Sequence, residues 1–491
     1  MKSEIQQKEV FPNSPQWVSD AIVYQIFPDR FRRSGRVGVS QKWTFKRWGS
    51  QPSKHGFYGG DLYGVIDMLD YLEEIGINCI YLNPVFSSVA NHRYHTFDYF
   101  QVDPILGGNS ALDDLISALH SRGMRIILDG VFNHCGRGFW AFHHLLENGK
   151  DSPYKNWFCV HNWPIIPYPK CQEDCGYSCW WNDPALPKFN HKYAPVRDYL
   201  ISVAVHWLKR GIDGWRLDVP DEVPADFWVD FRKNVKAVNP EAWIVGEIWG
   251  DARRWLTGDQ FDGVMNYRIG WSTLCWTAGN KLNKDYLNPA YPLVEISSEA
   301  FINILETTRN WYSKEVNNSN MNLLDSHDVP RALNTLLGDI PSLKIALALL
   351  FFQPGAPCIF YGTEVGLSGG EEPSCRECFP WDELMKVNLS AFIRSLVDMR
   401  KNLSGYFSSG IEWKLIEDDG LVGRSAHKSL FNSDKRVVVF VNRSRTNCMP
   451  ISIDPSVYSY YFLSGMIDRN NMTLGPQSIV LFHLGLESNS N

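Results

Sequence analysis

Four short stretches of the 491-residue chain place charged or hydrogen-bonding residues where apolar runs end. They are Asp129-Gly-Val-Phe-Asn133-His134, Arg216-Leu-Asp218, Glu247 with Trp249 two residues on, and His327-Asp328. Arg216 and Asp218 are two apart in an extended run and therefore face the same way. Acids and a guanidinium pointing into one interior must pair or serve a site, because an unpaired buried charge is costly. Three carboxylates converging on one rim suit cleavage of a glycosidic bond. With retained configuration that reaction needs a nucleophile and a proton donor about 5–5.5 Å apart. Arg216 would keep the Asp218 carboxyl ionised, while burial and two neighbouring aspartates would raise Glu247. His134, His327 and Asp328 would hydrogen-bond sugar hydroxyls more tightly as the ring flattens. Taken singly, each of these groups is more often a paired structural residue, and carboxylates near histidine also bind metals. No HExxH or other two-histidine spacing falls on one element, and four such strand ends together favour a site.

The elements that must hold them read as alternating strands and helices. Eight β-rich runs recur: Ala21–Phe27, Ile77–Pro84, Arg125–Asn133, Gly214–Val219, Ala242–Trp249, Phe261–Asn266, Asn322–Asp328 and Pro357–Gly362. Between them, Leu62, Val65, Ile66, Leu69 and Leu72 fall on one helical face before Gly76. Leu112, Leu115, Ile116 and Leu119 do so before Gly123, and Tyr199, Val203, Trp207 and Leu208 before Gly211. Eight strand–helix units predict an α/β fold, a (β/α)8 TIM barrel with its polar strand ends at one face. A doubly wound open sheet is the rival, but no Gly-rich phosphate turn follows the first strand. Residues 135–192, rich in Trp, Tyr, Pro, His and Cys, break the rhythm and read as an inserted domain walling the site. Short alternating strands after about residue 400 predict a C-terminal all-β domain. The expected division is a tail at 1–16, barrel at 17–134, insertion at 135–192, barrel at 193–400 and β-domain at 401–491.

Composition narrows the partners. Aromatic residues make up 14% of the chain, with 19 Trp; their flat apolar faces suit sugar rings as well as a core. The net charge of −6 and the lack of Lys/Arg runs argue against nucleic acid and anionic membrane. No secretory leader or membrane-length apolar run is visible, so the 11 Cys read as reduced thiols and the expected location is the cytoplasm.

The stretches DGVFNH (129–134), GWRLDVPDE (214–222), GEIW (246–249) and LLDSHD (323–328) resemble, in order and spacing, the four signature regions of the α-amylase family of glycoside hydrolases. The resemblance runs from about Trp17 to the C-terminus. It implies a barrel, an inserted B domain and a C-terminal β-sandwich. Leu186-Pro-Lys-Phe-Asn190 is similar to a motif of cyclomaltodextrinases, neopullulanases and maltogenic amylases. Gly56–Asp61, Glu222, Gly258–Asp262 and Ser374-Cys-Arg-Glu-Cys378 share that likeness. It implies Asp218 as nucleophile, Glu247 as general acid/base and Asp328 as transition-state stabiliser. Arg216 would orient the nucleophile, His134 and His327 bind the reacting sugar, Tyr94 stack on it, and Glu222 and Trp249 line the acceptor side. The expected activity is a retaining hydrolase of α-1,4 and also α-1,6 bonds in small or cyclic maltodextrins, with transglycosylation as a side reaction. A dedicated transferase or isomerase on the same scaffold, or a non-catalytic accessory subunit, are the rivals.

The chain departs from the subgroup in three places. Its first strand begins near residue 21, without the N-terminal β-domain of about a hundred residues that builds a dimer in members, so the oligomeric state is open. His95 stands in Tyr94-His95-Thr96 where members have Asp, which bears on the linkage or chain end accepted. Val329-Pro330 is an unfamiliar variant. No cofactor is expected. Cys159, Cys171, Cys175 and Cys179 lack paired zinc-ligand spacings. Calcium is common in the wider family, partly through the position matching Asn133, but the acidic N-terminal loop of calcium-dependent members is absent and calcium is not predicted.

Overall fold

The computed structural model describes residues 14–38, 43–170, 173–381, 387–428, 434–453 and 458–484. Each of the eight predicted runs overlaps one parallel strand. They are β1 (Val23–Ile26), β2 (Cys79–Leu82), β3 (Arg125–Gly130), β4 (Gly214–Leu217), β5 (Trp243–Gly246), β6 (Gly263–Asn266), β7 (Met321–Leu323) and β8 (Ala356–Phe360). Each pairs with the next and β8 closes on β1, making a sealed barrel without an edge. β1, β2, β4 and β5 are buried along their whole length, as expected of strands covered by side chains inside and helices outside.

The strands stop earlier than the apolar runs do. β7 ends at Leu323, leaving Asp325, His327 and Asp328 on the following loop; β3 ends at Gly130 and β5 at Gly246. The polar residues therefore sit where the ladder has ended and side chains converge above the barrel. Register brings them level: Asp129 pairs with Arg216 across β3 and β4, and Arg216 with Val245 across β4 and β5.

Helices follow the apolar periodicity. Leu112, Leu115, Ile116 and Leu119 are buried on the helix Gly108–His120, and Val203, Trp207 and Leu208 on Ala194–Lys209. The stretch after Asp61 forms two short helices, Leu62–Asp67 and Leu69–Glu74, broken at Met68 (φ −107°, ψ 10°). Their apolar stripe continues across the break, with Leu62, Val65, Leu69 and Leu72 buried.

Beyond β3 the chain leaves the barrel, forms the helix Trp140–Asn148 and returns through an extended stretch whose bridges pair His134 with Lys188 and Cys179 with Pro187. After the helix Ser390–Phe407 come β9 (Glu412–Glu417), β10 (Gly420–Lys428), β11 (Asp434–Asn442), β12 (Tyr458–Ser464) and β13 (Ser478–Leu484), ordered β9-β10-β11-β13-β12. A three-stranded sheet faces this one across Val422, Val438, Phe440, Met449, Leu474, Val480 and Phe482, completing a β-sandwich. Among the described residues no helix is long and apolar enough to cross a membrane.

Two barrel strands begin with glycine because the neighbouring backbone leaves no room. A Cβ at Gly214 would lie 2.3 Å from the Trp243 carbonyl oxygen, and one at Gly263 would lie 2.0 Å from that of Ser319. Gly263→Ala is therefore expected to cost about 2–3 kcal/mol, since rigid backbone must give way. A fall in the urea-unfolding midpoint checks this; an unchanged midpoint contradicts the close packing.

Candidate active site

Arg216 lies at the centre of the rim, fully buried. Its Nη1 donates to Asp129 Oδ1 at 2.7 Å and to Asp218 Oδ1 at 3.0 Å. Its Nη2 lies 2.9 Å from Glu247 Oε1 but lacks hydrogen-bond alignment there. One guanidinium thus gathers carboxylates from the ends of three successive strands. Val219, next to Asp218, adopts a left-handed conformation (φ 37°, ψ 52°), a strained choice for a β-branched residue. The turn aims its amide at Glu247 Oε2, 3.1 Å away, while Trp249 Nε1 donates to Oε1 at 3.1 Å.

Burial pushes Glu247 up to about 7, with Arg216 opposing and Asp328 reinforcing the rise. For Asp218 the outcome corrects the expectation that Arg216 would hold it low. Burial raises this carboxyl, Arg216 only partly offsets that, and Glu247, Asp129 and Asp328 push further upward. Two buried acids beside one guanidinium titrate as a unit. Asp328 goes the other way: burial opposes its charge, but His327 and Arg376 outweigh it and hold the carboxyl far below its usual range.

Asp328 Oδ2 lies 3.0 Å from His327 Nε2, and Arg376 Nη2 donates to Oδ1 at 3.3 Å. His327 is fixed on its other side by Gln25 Nε2, 2.9 Å from Nδ1. Tyr94 lies parallel to the His327 ring, centroids 5.5 Å apart, and its hydroxyl donates to Asp129 Oδ2 at 2.9 Å. His134 is buried, and desolvation holds it neutral by lowering it to about 3, with His95 and Lys188 adding to the effect. Its Nε2 has no hydrogen-bond partner within the described protein.

The structure brings Asp218, Glu247, Asp328, Arg216, His327 and Tyr94 into one connected network. Trp249 joins it through Glu247 and stacks on Tyr267 at 4.1 Å. Glu222 stands further out, paired with Lys188 at 2.8 Å. His95 is half-buried, edge-on to His92 at 5.0 Å, and close enough to His134 to lower it further. Sequence reasoning missed Gln25, Tyr81, Asn83 and His92, and gave no role to Arg376 although its motif was noted. Tyr81 donates to Asp129 at 2.7 Å and Asn83 to the Tyr94 hydroxyl at 3.3 Å. A polar residue inside a barrel strand, such as Gln25 or Tyr81, was the available signal.

Among the described residues no group of three or more His, Cys, Asp or Glu is placed to hold a metal ion. Asn133 Oδ1 is a buried acceptor without a partner, but the acidic ligands a calcium ion asks for are not gathered there. Cys175 and Cys179 approach to 3.4 Å between sulfurs; Cys171 lies outside the described residues.

Acids grouped around one arginine at the C-terminal mouth of a parallel eightfold barrel define a barrel hydrolase of glycosidic bonds. The family model described as alpha amylase, catalytic domain, matches residues 25–401, and the chain belongs to the α-amylase family of glycoside hydrolases. It is 38% identical to a cyclomaltodextrinase of Geobacillus thermopakistaniensis over 445 residues, 90% of this chain and 72% of that one. The solved cyclic α-maltosyl-(1→6)-maltose hydrolase of Arthrobacter globiformis is 33% identical with TM-score 0.83, covering 96% of this chain and 100% of that one. A debranching enzyme from Nostoc punctiforme is 37% identical with TM-score 0.83, covering 96% and 99%.

Arg376→Gln removes a cation that lowers Asp328. The Asp328 carboxyl is expected to titrate at higher pH in the variant, because one of the two cations favouring its charged form is gone, and an NMR titration of its carboxyl carbon checks this. A titration that stays in place would show that Arg376 does not hold Asp328 down.

Proposed function

We propose that the chain is a retaining α-glucan hydrolase acting on small or cyclic maltodextrins. The observation that carries this reading is the shared guanidinium: Asp218 and Glu247 both contact Arg216. That arrangement favours the short carboxylate separation of retaining enzymes over the wider gap, about 6.5–9.5 Å, that inversion needs. Asp218 attacks the anomeric carbon as the glycosidic C–O bond breaks, and Glu247 gives its proton to the departing oxygen. Glu247, now a carboxylate, takes a proton from water, whose oxygen displaces Asp218 from the same carbon. Asp328 stabilises the positive charge developing on the ring, and its far-lowered carboxyl suits that task. His134 offers an unpartnered nitrogen, and His327 and Tyr94 a fixed polar wall, to the reacting sugar. A sugar hydroxyl replacing water in the second step gives transglycosylation, with Trp249 and Glu222 on the acceptor side.

A second reading concerns linkage. The cyclic α-maltosyl-(1→6)-maltose hydrolase, named for a ring containing (1→6) links, and the debranching enzyme match over nearly their full lengths. His95, standing where members of the subgroup have Asp, favours a shift toward branched or α-1,6-containing rings.

Side-by-side product time courses from β-cyclodextrin, maltoheptaose and a branched maltodextrin test both readings. Ring opening to maltose and glucose supports the cyclic substrate. Attack on the branched sugar alone supports the second reading, and no cleavage of any of them contradicts both. Asp218→Asn is expected to lower kcat by at least about 10⁴-fold while leaving the fold intact by circular dichroism. Activity of the parent enzyme is expected to decline as pH rises through about 7, where Glu247 loses the proton it donates. A profile flat to pH 9 would exclude Glu247 as the acid.

A further inference from the structure

The sugar-facing histidine is the inner member of a three-ring stack that runs out to solvent. His134 and Trp180 lie nearly parallel, 5.3 Å apart with an interplanar angle of 17°. Trp180 and Trp181 continue the stack at 4.9 Å and 12°. Burial falls along the row. His134 is buried, Trp180 half-buried, and Trp181 80% exposed. An indole so exposed gains little from folding, since its apolar face stays in water.

The backbone nevertheless goes to some trouble to present it. Trp181 is left-handed (φ 49°, ψ 28°), a conformation uncommon for a residue other than Gly, Asn or Asp, and Asn182 follows it there (φ 56°). A closed set of main-chain bonds holds the turn: Trp180 N to Leu186 O at 3.0 Å, Asp183 N to Trp180 O at 2.9 Å, and Leu186 N to Asp183 O at 2.9 Å. The strip is pinned to the site by the His134–Lys188 bridge and the Lys188–Glu222 ion pair. The row is thus aromatic, held by main-chain bonds, and begins at the buried His134 beside the candidate site.

We propose that Trp181 is a stacking platform for a glucose unit of the substrate outside the reaction centre, and so sets a preference for longer or bulkier α-glucans. The ligand is the apolar C–H face of a pyranose ring laid on the outer indole face. This inference rests on the α-glucan reading above. It assigns Trp181 to binding and not to bond cleavage.

The test compares maltoheptaose with maltotriose in wild type, Trp181→Ala and Trp181→Phe. Trp181→Ala is expected to raise KM for maltoheptaose about fivefold more than for maltotriose, with kcat on the two substrates changing in parallel. Trp181→Phe should recover most of that difference, because a flat face is restored. Direct titration of maltoheptaose into the Asp218→Asn protein, with and without Trp181→Ala, should show the same loss in Kd. Equal changes for both sugars, or none for maltoheptaose, overturn the platform. A dimer in sedimentation equilibrium that Trp181→Ala dissolves, with KM unmoved, overturns it too and assigns the indole to a protein contact. If wild type cleaves neither of these sugars, nor β-cyclodextrin, nor the branched maltodextrin, the α-glucan reading itself fails and the platform falls with it.

Discussion

The site depends on one buried guanidinium. Arg216 has no contact with water, and its charge must be met by carboxylates inside the barrel mouth. Asp129 comes from β3, Asp218 follows β4 on the same chain stretch, and Glu247 follows β5. The barrel's parallel register puts these three strand ends at one height. Removing the arginine would leave three acids crowded without a cation, which neither the fold nor the reaction tolerates. Structure and chemistry here have the same requirement.

Around that centre Glu247, Asp218 and Asp328 are pushed apart in proton affinity by what lies beside them. Glu247 and Asp218 share a single guanidinium and are raised by burial, so the pair retains a proton near neutrality. Asp328 has His327 and Arg376 to itself and stays charged. In the proposed mechanism the proton of that pair sits on Glu247, leaving Asp218 ionised for attack, while Asp328 stays charged beside the ring. Val219 adds to this with a strained turn that turns its amide onto Glu247, storing backbone strain at the reaction centre.

The barrel was legible in the sequence because strand and helix periods alternate eight times and the polar residues cluster where strands end. The Arg216–Asp218 spacing read correctly as two side chains that meet, although the strand stops at Leu217 and Asp218 follows it. What stayed hidden was set by topology. Arg376 reaches Asp328 across 48 residues, and Gln25 reaches His327 across 302; no local pattern announces either. The direction of the Asp218 shift was also missed, because spacing reveals the neighbouring arginine but not the depth of burial that outweighs it. The break at Met68 escaped for a related reason: the apolar stripe runs through it undisturbed.

The insertion leaves the barrel just after His134 and comes back at Lys188, where the two ends are zipped together by an antiparallel bridge. Between these ends the insertion also packs on the barrel through Phe139 and Trp157, which lie against Tyr199. Changes of length or composition in the middle of the excursion would alter the outer wall of the cleft while the clasp, and with it the histidine, stays where the reaction needs it. Specificity and bond cleavage would then be set by separate parts of one chain, the outer wall by the excursion and the centre by the strand ends.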